Sequence, residues 1–114
     1  MEWDSGLCGW GLGVVLRLMT FEDFLTSIEN DETPSSAWSM AVQGLWWDKQ
    51  GEWDKAHDCC QPPSDNDADW LHAYLHRKEG DLGNASYWYG RCGKPMFKGT
   101  LDAEWESLVK ALIV

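Results

Sequence analysis

The chain reads as an all-α domain of five to six short helices, with two helical hairpins in tandem between capping helices. Three observations carry this reading. Apolar residues recur at three- and four-residue spacing in several segments. No segment sustains the period-two alternation of a half-buried strand. Glycine, proline and short polar residues stand where helices must start and stop. The 114 residues fit one domain, and a domain of that size buries roughly two-thirds of its unfolded surface, enough to stand without staples. Nine tryptophans make the core aromatic, since each buried indole removes on the order of 200 Å² from water.

Residues 1–18, MEWDSGLCGWGLGVVLRL, differ from the rest in being glycine-rich and apolar. Glu2 and Asp4 open the segment where a signal peptide would place basic residues, and Arg17 cuts an apolar run already too short to span a bilayer. The expectation is a disordered N-terminal extension ahead of Met19, with Trp3 and Trp10 outside the core, and a single domain over 19–114. Thr20 opens the first helix, with Asp23 placed for a capping box and Phe21, Phe24, Leu25 and Ile28 forming one stripe. Residues 30–36, with Pro34, form a loop. Ser36 is the expected cap of a second helix over 37–50, ended by Gly51 as a left-handed terminator. A third helix is expected over 52–60, followed by the Pro62-Pro63 break. Asp67 is the expected cap of a fourth over 68–79, ended by Gly80. Asp81 caps a fifth over 82–92. After Gly93, Pro95 and Gly99, Thr100 caps the last, whose stripe is Leu101, Trp105, Leu108, Val109 and Leu112.

Shifting the sequence by 29 positions lays residues 41–56 on residues 70–85. Gly44 meets Ala73, Gly51 meets Gly80, Glu52 meets Asp81, Trp53 meets Leu82 and Ala56 meets Ala85. The pattern is mechanical: a small residue admits a neighbouring helix, glycine makes the turn, an acid starts the next helix, and a bulky residue plugs the hairpin ahead of an alanine at the crossing. Over about residues 37–95 this resembles the tetratricopeptide and Sel1-like repeats. The period is shorter than the usual 34 of that family, and Pro62 and Pro95 stand displaced from its closing proline. The whole chain is also similar to a group of short uncharacterised microbial proteins, a likeness that implies no activity. The repeat resemblance implies a scaffold for a protein or peptide partner, not an enzyme. It also implies a concave groove lined by the first helix of each hairpin, at Trp38, Leu45 and Asp48 and again at Trp70, Tyr74, Arg77 and Lys78.

A formal charge of −10 argues against nucleic acid, which demands clustered Lys and Arg, and against an anionic membrane surface. A basic partner suits it better, and the surplus tryptophans allow a homodimer interface. Cys8, Cys59, Cys60 and Cys92 form no C-x-x-C pair and read as reduced thiols of a cytoplasmic protein. Asp69, His72, His76 and Glu79 share one helix face. Two imidazoles four residues apart can grip one ion, here of zinc type, with His57 of the preceding helix as third ligand. The glutamate of an H-E-x-x-H motif is missing, so this is the alternative to a cofactor-free scaffold, in which the same histidines serve the helix crossing. Cys–His catalysis is disfavoured because the cysteines stand toward helix C-termini, where the dipole raises a thiol pKa.

Overall fold

A computed structural model describes residues 19–113; the expectations for residues 1–18, Trp3 and Trp10 included, lie outside the described residues. Six α-helices and no strand occur among the described residues: α1 Phe21–Asn30, α2 Met40–Lys49, α3 Trp53–Asp58, α4 Asn66–Lys78, α5 Leu82–Arg91 and α6 Leu101–Leu112. No helix among them is long and apolar enough to cross a membrane.

Cap chemistry starts five of the six helices. Thr20 Oγ1 accepts from the Asp23 amide and Asp23 Oδ2 from the Thr20 amide, each at 3.0 Å, which completes the expected capping box. Asp81 and Thr100 cap α5 and α6 as expected. Two caps differ. Helix α2 starts at Ser39 instead of Ser36, because Ser35 closes its own turn by accepting from the Ala37 and Trp38 amides. Helix α4 starts two residues early, because Asp65 rather than Asp67 accepts from the Ala68 amide. Helix α3 is trimmed to six residues inside the expected span, and Glu52 gives it no side-chain cap.

The hairpins α2–α3 and α4–α5 turn identically. Gly51 and Gly80 adopt φ +84° and +89°, a region open to glycine at little cost. The Glu52 amide donates to Trp47 O at 3.0 Å and the Asp81 amide to His76 O at 2.9 Å, the same 6→1 closure displaced by 29 residues. Ala56 and Ala85 are fully buried at the two crossings. Gly44 lets α3 and α4 approach: a Cβ there would stand 2.3 Å from Leu71 Cδ2, 3.2 Å from Cys59 Cβ and 3.3 Å from Ala56 O.

Helix α6 lies across the first helices of both hairpins. Trp105 is buried, its indole N–H donates to Leu45 O at 3.0 Å, and Phe21 and Phe24 of α1 pack on its ring. Two buried carboxylates fix this layer. Glu104 is wholly inaccessible and accepts from Arg77 Nη1 at 2.9 Å and from the Tyr89 hydroxyl at 2.5 Å. Asp48 accepts from the Tyr74 hydroxyl and from Lys78 Nζ, both at 2.8 Å. Burial first, then these carboxylates, pushes both tyrosine pKa values up, so each phenol remains a donor.

The covering by α6 redefines the residues that the repeat resemblance assigns to a groove. Leu45, Asp48 and Tyr74 are buried, Trp38 and Trp70 half-buried, and Arg77 is engaged by Glu104 and by the Gly99 carbonyl. Lys78 is exposed but paired to Asp48. Helix α6 meets two of these residues directly, Trp105 at the Leu45 carbonyl and Glu104 at Arg77.

Candidate metal centre

The three histidines come together between α3 and α4. His72 and His76 stand one turn apart on α4, and the α3 residue His57 reaches them across the interhelical seam. One ring nitrogen from each lies within 4.8 Å of the others. Nε2 of His57 and Nε2 of His72 are 2.9 Å apart, so one of them donates to the other. Tetrahedral zinc with Zn–N near 2.0–2.1 Å holds its donors about 3.4 Å from one another. The 2.9 Å pair is shorter than that value, and all three donors lie within 4.8 Å of one another.

The surroundings orient the rings. Glu79 Oε2 lies 2.6 Å from His76 Nδ1; an ionised carboxylate only accepts, so Nδ1 carries the hydrogen, and in the neutral ring Nε2 presents its lone pair. A carboxylate behind a histidine in this way fixes the tautomer that a metal requires. Gln61 Nε2 stands 3.4 Å from His57 Nδ1. The Trp53 indole stacks on His57 at 4.9 Å between ring centroids, and Trp88 stacks on His72 at 4.0 Å. His72 is only 7 % exposed, and its Nδ1 is the one buried side-chain polar atom without a hydrogen-bond partner among the described residues. Burial, then the His57 and His76 rings beside it, lowers its pKa to about 4. His72 is therefore neutral at physiological pH, the state in which imidazole ligates.

Of the four residues expected on one face, Asp69 is not part of the cluster. It is buried, accepts from Ser64 Oγ at 3.0 Å and stands 3.8 Å from Arg91 Nε, tying the Pro62–Asp65 loop and α5 to α4. A second acidic group, His76, Glu79 and Asp81, is spatially close, but Asp81 is committed to Asn84 as the cap of α5. Among the described residues, Cys60 is buried and its thiol donates to Ala56 O, and burial pushes the thiols of Cys59, Cys60 and Cys92 up. Sequence reasoning missed Gln61 as a partner of His57, although the four-residue spacing contains that signal. The stacking of Trp88 on His72 has no sequence signal, since it depends on how α5 crosses α4.

No family model matches the chain, and no curated protein or solved structure matches it.

Proposed function

We propose that the protein binds a divalent ion of zinc type through His57, His72 and His76, with Glu79 holding His76 in the ligating tautomer. The observation that carries this reading is the convergence of three imidazoles from two helices, one of them buried and neutral. Imidazole donors suit zinc, copper and nickel, and disfavour magnesium and calcium. The paired hairpins with matching glycine turns support the tetratricopeptide-like arrangement as the frame that delivers His57 to α4.

The expected outcome of adding zinc at about a hundred times its Kd is a stabilisation of about 2.7 kcal/mol, or on the order of 10 °C in Tm. His72→Ala and His76→Ala should each remove the shift while circular dichroism still reports the helices. A wild-type Tm indifferent to zinc, or a shift that survives both substitutions, refutes the reading.

A basic protein or peptide partner is a second reading, favoured by one specific feature. A cleft of about 450 Å³ is bounded by Asp31, Glu32, Trp47, Gln50, Glu52 and Lys55, and the Lys55 ammonium already lies 4.4 Å above the Trp47 ring. An indole ringed by carboxylates suits a second cation. An oligolysine peptide should bind with an affinity that falls as salt rises, and should lose several-fold on combining Glu32→Lys with Glu52→Lys. Affinity unchanged by that double reversal would rule the cleft out.

A further inference from the structure

We infer that the ion held by the three histidines keeps one coordination position free, and that this position takes a water or a small monodentate anion. The inference rests on the metal reading above and extends it to the ligand class of the site.

The donor inventory leads to it. Among the described residues, only His57, His72 and His76 bring ligating atoms together at this point. The nearest carboxylate, Glu79, spends Oε2 on His76 Nδ1 and so sits behind a ligand. Asp69 is held by Ser64 and Arg91. Cys59 and Cys60 stand outside the cluster, and Cys60 donates to the Ala56 carbonyl. Zinc takes four donors, and sites with three protein ligands complete the set with an exogenous one, whereas purely structural sites are closed by the protein.

Charge and shape then select what enters. Three neutral imidazoles leave the ion its full double positive charge, so an anion is favoured over a neutral donor, and a bound water is acidified. The Arg91 guanidinium, half-exposed, lies 5.3 Å from the Trp88 ring centroid and 3.8 Å from Asp69 Oδ2. Trp53 and Trp88 lie flat on two of the three imidazoles, so the approach is narrow and flanked by indole. His57, Trp53 and Trp88 are all half-buried, which leaves the cluster at the surface edge of the α3–α4 seam and within reach of solvent. These properties fit ions such as azide or thiocyanate and disfavour bulky carboxylates.

The test uses the full chain loaded with Co²⁺ alone, whose visible absorption reports coordination directly. Wild type should show a one-to-one cobalt spectrum that is lost in His72→Ala. Titrating thiocyanate should shift that spectrum saturably, with benzoate at least ten-fold weaker. A cobalt spectrum present in wild type, absent in His72→Ala and unmoved by thiocyanate or azide would overturn the open position and leave the metal reading standing. Equal affinity for benzoate and thiocyanate would overturn the size selection by the two indoles. The absence of any histidine-dependent cobalt spectrum would sink the metal reading, and this inference with it.

Discussion

Glu104→Ala will destabilise the fold by about 3–5 kcal/mol, read as a lowered midpoint of urea unfolding. Glu104 is wholly inaccessible and its two oxygens satisfy Arg77 and Tyr89. Removing it leaves a largely buried guanidinium and a buried phenol facing a hole, and breaking a buried charge pair from one side costs that much because the remaining charge is uncompensated. Glu104→Gln preserves the shape and one acceptor oxygen, so its expected cost is smaller, about 1.5–3 kcal/mol, the range for a hydrogen bond to a charged group. The order wild type, Gln, Ala in stability is the diagnostic. An alanine variant within about 1 kcal/mol of wild type would mean that solvent reaches Arg77 freely and that the layer under α6 is looser than described.

Gly44→Val will cost about 3 kcal/mol, a drop in Tm of more than about 10 °C. Even a single methyl at this position meets Leu71, Cys59 and the Ala56 carbonyl, and Leu71 and Ala56 are themselves fully buried and cannot step aside. A β-branched side chain adds a second methyl with few rotamers to choose from. Gly90→Ala is the control: Gly90 is also helical, but nothing stands within 4 Å of the added Cβ, so the better helix propensity of alanine should leave stability unchanged or raised by up to about 1 kcal/mol. If both substitutions behaved alike, close approach at Gly44 would not be the reason for its glycine.

Local chemistry was what could be read in the sequence. The boundaries at Thr20, Asp81, Thr100, Gly51 and Gly80 depend on hydrogen bonds within a few residues, and a cap or a left-handed turn leaves its mark in the residue type. Where several candidates stood in a row, as in Ser35-Ser36…Ser39 or Asp65-Asn66-Asp67, the winner depended on the approach of the preceding loop, which residue type does not record. Long-range electrostatics were hidden for the same reason. Glu104 reads as an ordinary acid in a first helical turn, and its burial depends on Arg77, 27 residues earlier in the chain. Asp48 reads as a groove-lining acid from the repeat resemblance, and its burial and its ion pair with Lys78, 30 residues on, have no local signal. The histidines lay between these cases: His72 and His76 are paired by helical spacing alone, while the arrival of His57 needs the hairpin stacking that the 29-residue repeat implies.

The bond from Trp105 to Leu45 closes a loop of sixty residues, and that has a kinetic consequence. Stacked repeats ordinarily melt like a zipper, because each unit touches only its neighbours and the ends can peel away alone. Here the C-terminal segment clasps both units, so detaching it would wet Leu45, Tyr74 and two interior carboxylates in a single event. Contacts of such sequence separation form late and at an entropic cost, but once made they couple the whole array. The domain should therefore open all at once, and its histidine triad should keep its shape until the entire chain lets go.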